Sequence, residues 1–193
     1  SHSDVFTKIQ LPHLQPDPYV SVVVIEYPAY PLIEEGLVAQ TTGGGYSLLP
    51  QNQFPSDKNQ VIHKKERRGT IPEYVSVTES KTFHWKIFVD EPGEKTVEIS
   101  YSFQEKESKS RIVVKAAGSE LEHNILPTGK TVGEPNSNWI IDNFKSTRIG
   151  KIYFPEKGIF DIEMRVIPAK KEEIKLQWLW INTINQVHNS VNQ

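Results

Sequence analysis

Apolar and polar residues alternate along much of the chain. Phe83, Trp85, Ile87 and Val89 fall on one parity, with His84, Lys86 and Asp90 on the other. Val97, Ile99, Tyr101 and Phe103 alternate in the same way with Glu98, Ser100, Ser102 and Gln104. Phe160, Ile162, Met164 and Val166 do so with Asp161, Glu163 and Arg165. Successive side chains of a strand point to opposite faces, so each run predicts a half-buried antiparallel strand. None keeps the spacing of three and four that an amphipathic helix requires. A last strand, from Ile174 to Asn182, is apolar on both parities: Ile174, Leu176, Trp178 and Trp180 on one, Leu179 and Ile181 on the other. That pattern predicts a central strand covered on both sides.

The turns agree with the strands. Glu91-Pro92-Gly93-Glu94, Ala117-Gly118-Ser119 and Pro155-Glu156-Lys157-Gly158 separate consecutive runs, and proline and glycine supply the dihedrals that sharp reversals need. Short strands joined by such turns, with no long helix, predict an all-β antiparallel sandwich or jelly roll. The front of the chain stands apart. Val20 to Ile25 is a β-branched run framed by prolines, which predicts a strand from a neighbouring unit. A border is expected near residues 31–45. Residues 1–36 are then a strand and linker left from a preceding sandwich, and 37–193 the sandwich domain. Residues 41–73 read as loop-rich, with the Gly43-Gly44-Gly45 run and the basic knot Lys64-Lys65-Glu66-Arg67-Arg68.

Composition narrows the chemistry. At 193 residues the chain is long enough to bury a core, and 37% hydrophobic with 24% charged residues reads as globular. A formal net charge of −2 gives no overall field toward nucleic acid or an anionic membrane, and the absence of cysteine excludes disulfides and thiolate metal sites. Gly129-Lys130-Thr131 imitates the end of a phosphate-binding loop. Asn124 stands where that motif needs its first glycine, and Pro135 follows where it needs a helix. The six histidines have no metal-ligand spacing, and the carboxylates alternate along strands as solvated faces do. No cofactor is expected; a structural calcium of the kind jelly-roll modules often hold stays open, although no acidic loop has its ligand spacing. The basic knot is short, contains Glu66, and reads as a solvated loop.

The aromatics are more informative. Trp85, Trp178 and Trp180 alternate within strands and read as core. Trp139 lies in the polar stretch Asn136-Ser137-Asn138-Trp139. A tryptophan flanked by amides can stack on the C–H face of a sugar while the amides bond its hydroxyls, so Trp139, Asn138 and Asn136 are carbohydrate-binding candidates. The competing reading has Trp139 open a strand and fold inward. Tyr46, after the glycine run, is a further candidate.

The order of motifs resembles the C-terminal β-sandwich region of bacterial α-L-fucosidase-type glycoside hydrolases. The residues that carry it are Pro16 to Glu26, Trp85 to Gly93, Val97 to Tyr101, Thr128-Gly129, Ile149 to Phe154 with Lys157-Gly158, and Leu179-Trp180-Ile181. Lys95 departs from the aromatic usual two residues after the Pro-Gly glycine. The resemblance implies a galactose-binding-like, carbohydrate-binding-module-like fold in a periplasmic or secreted protein. It further implies a (β/α)₈ catalytic barrel in the same polypeptide, and a fucosylated glycan as ligand. This chain lacks the alternating strands and helices of a barrel, so no catalytic residue has a position here. The expected role is a non-catalytic accessory domain. A stand-alone carbohydrate-binding or adhesion module and a purely structural domain are the alternatives.

Overall fold

The alternating runs form the two sheets of a sandwich. The computed structural model describes residues 24, 34–63, 73–129, 131–132 and 141–183. The chain divides into two compact units, Ser1–Glu35 and Gly36–Gln193. The expected strand Val20–Ile25 (apart from Val24) and the basic knot at 64–68 lie outside the described residues.

In the second unit the strands are β1 (Leu37–Val38), β2 (Gly45–Leu48), β3 (Val75–Val77), β4 (Lys81–Val89), β5 (Gly93–Ser102) and β6 (Arg111–Ala116). They continue with β7 (Ser119–Asn124), β8 (Thr131–Val132), β9 (Ile141–Asp142), β10 (Lys145–Phe154), β11 (Gly158–Ile167) and β12 (Ile174–Thr183). One sheet runs β1-β4-β11-β6-β7 and the other β10-β5-β12-β2, with β3 also paired to β12. Apart from the parallel β1–β4 pair, their pairings are antiparallel. β8 and β9 form a separate short ribbon.

The parity predicted for β4, β5 and β11 is the parity that the core uses. Phe83, Trp85, Ile87 and Val89 meet Val97, Ile99 and Tyr101 from the opposite sheet, and Ile162, Met164 and Val166 join them, all buried. Trp85 also ties down the chain after β2. Its Nε1 donates to the Leu49 carbonyl at 2.8 Å and to Asn52 Oδ1 at 3.0 Å, while Asn52 Nδ2 donates to the Ser47 carbonyl. β2 lies in the stretch that reads as loop-rich, and β3 begins just after it. Both are short, and Gly45 and Ser47 dilute the apolar alternation of β2.

His123 adds a titratable group to the core margin. Its Nε2 lies 3.2 Å from the Tyr101 hydroxyl, which itself accepts the Leu126 amide at 3.0 Å. The direction of the Tyr101–His123 hydrogen bond follows the His123 tautomer, since a phenolic oxygen can both donate and accept. Burial lowers the His123 pKa below its usual 6.5. A neutral-favouring histidine supports folding above the unfolded pKa, and that support is lost as pH falls through 6.5 toward the folded value. Thermal stability is therefore expected to drop between pH 7 and pH 5, above the range where most carboxylates titrate, with a smaller drop in His123→Gln. Melting curves of both proteins across that interval check it; parallel curves would remove His123 as the cause.

Candidate functional site on the outer face of the second sheet

The two outer faces of the sandwich differ in chemistry. On the first sheet, register places His84, Glu163, Lys115 and Glu120 in one row and Arg165, Val113 and Glu122 in the next. Exposed ion pairs such as Lys115–Glu120 and Arg111–Glu122 tile this surface. It is a solvated charged face, and such pairs contribute little to stability.

The second sheet is built otherwise because of one bulge. Leu176 pairs with Tyr101 and Trp178 with Ser100, so Gln177 has no opposite residue. The extra residue switches parity along β12. Ile174 and Leu176 before it and Leu179 and Ile181 after it all face the core at 0% exposure. Trp178 and Trp180 therefore point outward, half-buried. The prediction of a strand covered on both sides is corrected here: β12 is central in its sheet, but its tryptophans form part of an outer surface. Gln177 is held by the Ser100 hydroxyl, which donates to its Oε1 at 2.6 Å.

Register then defines the surroundings. Arg148, Glu98, Trp180 and Ser47 lie in one row across four strands, and Ser146, Ser100 and Trp178 in the next. Arg148 reaches Glu98 with Nε at 3.3 Å and Nη2 at 3.1 Å. Thr96, Ser100 and Ser102 share this outward parity on β5, yet all are buried. They make a floor of small hydroxyl side chains, flanked by longer ones on β10 and β12. Two tryptophans two residues apart on a strand stand about 7 Å from each other. The seat of Trp180 depends on Gly45, where a Cβ would come within 2.4 Å of the indole ring.

At one end of this face is a cavity of about 180 Å³, lined by Ser102, Gln104, Glu105, Lys171, Glu173 and Lys175. Asp142 braces its wall: it accepts Lys175 Nζ at 3.0 Å on one oxygen and the Gln104 amide on the other. The two loops that frame the cavity are pinned by Glu172, which accepts the hydroxyls of Ser108 and Ser110 and the Lys109 amide. Desolvation pushes the Glu172 pKa up, but these hydrogen bonds outweigh it and hold the carboxyl below its usual range.

The residues nominated from the sequence fall elsewhere. Asn136, Asn138 and Trp139 lie outside the described residues. Tyr46 is 1% exposed, and its hydroxyl donates to the Phe88 carbonyl at 2.5 Å. Its pKa is pushed up to about 12, first by burial and then by Asp90 and Glu91. Tyr46 is a core residue with no ring face open to a sugar, which corrects its nomination. Gly129-Lys130-Thr131 leads into the strand β8, not into a helix. Among the described residues no three histidine or carboxylate side chains gather as a metal site.

The fold is shared with solved structures. The mosquito-larvicidal Cry4Aa toxin of Bacillus thuringiensis superposes with a TM-score of 0.55 at 8% identity, over 78% of this chain and 25% of that one. The C-terminal CBM6 of LamC, a marine laminarinase from Zobellia galactanivorans, gives 0.51 at 14% identity, over 72% of this chain and 100% of the module. An α-L-fucosidase from Vibrio sp. strain EJY3 gives 0.48 at 15% identity, over 80% of this chain and 25% of the enzyme, a score too low to bear on the fold. The chain thus spans about a quarter of the toxin and of the fucosidase. No protein-family model matches the sequence, and no curated protein matches it. At these identities the likeness shows the fold: an all-β sandwich of the kind seen in CBM6.

Proposed function

We propose that the chain is a carbohydrate-binding accessory sandwich of a glycoside hydrolase, and that a glycan lies along the Trp178–Trp180 face. The observation that carries this reading is the outward tryptophan pair beside a hydroxyl floor and the Arg148–Glu98 pair. Sugar rings offer an apolar C–H face and a rim of hydroxyls. Aromatic rings with a few fixed polar groups complement both. Among the described residues the outer face of the first sheet shows no tryptophan pair, and its Phe88 ring is covered by Lys157. A CBM6 module spanned end to end by the same fold supports the accessory role. The finer reading is an α-L-fucosidase parent in which this domain braces the barrel of a periplasmic or secreted enzyme. It rests on the ordered motifs of the sequence. The Asn136–Trp139 stretch is a second contact in this proposal.

The test is titration of the whole chain with L-fucose, fucosylated oligosaccharides and laminari-oligosaccharides, followed by tryptophan fluorescence. A saturable change with a Kd of about 1 mM or tighter, a binding free energy of about −4 kcal/mol, is the expected result. Trp139→Ala run alongside reports whether its loop takes part. A flat response to every sugar would leave a bracing domain without a ligand.

A further inference from the structure

We propose that the cavity at the Ser102 end of this face is a chain-end subsite, taking one uncharged terminal sugar ring through two neighbouring hydroxyls. The inference rests on the carbohydrate reading and deepens it.

Ser102 is the starting point. It is 1% exposed, and its Oγ has no hydrogen-bond partner. A buried hydroxyl without a partner costs about 1–3 kcal/mol, so on stability alone an alanine would serve better here. The hydroxyl belongs to a residue that lines the cavity, and the other groups there also keep unused capacity. Gln104 Nε2 donates one N–H to Asp142, which leaves its Oε1 to accept. One Glu173 oxygen accepts the Ser76 hydroxyl, which leaves the other. Lys171 and Glu105 make no ion pair among the described residues. Residues that carry donors (Ser102, Lys171) and acceptors (Gln104, Glu105, Glu173) thus line one small space. A vicinal diol matches that mixture, because each hydroxyl both donates and accepts.

Charge and volume narrow the occupant. Two lysines face two glutamates in the lining, and Asp142 already neutralises Lys175. The cavity therefore has no excess positive charge to select a carboxylate or sulfate. Its 180 Å³ equals the share of about six water molecules, room for one pyranose and not for a chain. Ser102 and Lys175 face each other across β5 and β12, one outward step from the Ser100–Trp178 pair. A terminal ring in the cavity would continue into the glycan stacked on Trp178. The Glu172 staple fixes both flanking loops before ligand arrives, which reduces the ordering cost of binding.

The experiment compares the whole chain with Ser102→Ala and Trp178→Ala. The probes are methyl pyranosides of fucose, galactose and glucose, their periodate-cleaved counterparts, and the oligosaccharides named above. Affinities come from NMR titration and stability from thermal melts. The expected result is that at least one intact methyl pyranoside binds and its cleaved form does not. Ser102→Ala should weaken that binding by about fivefold or more while its melting temperature stays level or rises. Equal affinity in Ser102→Ala, with binding lost in Trp178→Ala, would overturn the subsite and leave the glycan face standing. Oligosaccharide binding with no methyl pyranoside bound would overturn it as well. So would a clear fall in the melting temperature of Ser102→Ala, which would make the hydroxyl structural. If no sugar binds the unmodified chain, the carbohydrate reading itself fails and the subsite with it.

Discussion

Replacing Trp178 or Trp180 by alanine is expected to weaken glycan binding by about tenfold or more each, and replacing both to remove it from the millimolar range. Truncating a central aromatic contact in a binding site costs about 2 kcal/mol, and 1.4 kcal/mol is a factor of ten in Kd. A millimolar complex has only about 4 kcal/mol in total, so losing two such contacts leaves nothing to measure. Stability should change little by comparison. Both rings point away from the core cluster and are already half-buried at the surface. Gly45→Ala sharpens the test, because its Cβ would meet the Trp180 ring at 2.4 Å and displace it without removing it. Loss of binding in Gly45→Ala as large as in Trp180→Ala would show that the position of the ring matters and not merely its area. Titration calorimetry of the four variants decides the matter. If all bind as tightly as the parent, the glycan does not lie on this face, and Trp139→Ala becomes the decisive variant.

The strands were legible because most of them are ordinary half-buried strands. From β4 to β7 and from β10 to β12, period two together with the Pro-Gly turns locates the elements to within a few residues. The short strands β2 and β3 were not legible, since four and three residues carry too little alternation to stand out from a polar surround. The site was hidden by a different cause. Parity counted straight through β12 puts Trp178 and Trp180 on the face of Ile174 and Leu176, which is the core. A single bulge at Gln177 reverses this, and a bulge has no strong signature in one sequence. The one available signal was the change at Gln177, after which apolar residues fill both parities from Trp178 to Ile181. Tyr46 failed as a candidate for the opposite reason. The glycine run before it suggested an open loop, but Gly45 already belongs to β2, and the tyrosine ring faces inward.

The same parity argument separates two classes of tryptophan, and the core member carries the largest stability prediction. Trp85 is 1% exposed, stacks on Phe83 with ring centroids 5.9 Å apart, and donates to Leu49 and Asn52. Trp85→Ala is expected to cost about 3–5 kcal/mol, the range for deleting a large aromatic from a packed core. That is a large part of the roughly 5–15 kcal/mol that holds an ordinary domain together, so this variant is expected to populate the unfolded state without denaturant. Trp85→Phe keeps most of the ring and removes the N–H. It should fold and lose about 1 kcal/mol, the net worth of the indole hydrogen bond, since the Leu49 carbonyl keeps the Asn52 amide as a donor. Urea unfolding measures both, as a lower midpoint at an unchanged slope. Hydrogen exchange adds the location. The Asn52 amide, bonded to the Leu49 carbonyl at 3.1 Å, should lose protection in Trp85→Phe before the amides of β5 and β11 do. A uniform loss across all strands would mean that Trp85 acts only through the volume it fills, and that the chain after β2 is held by other contacts.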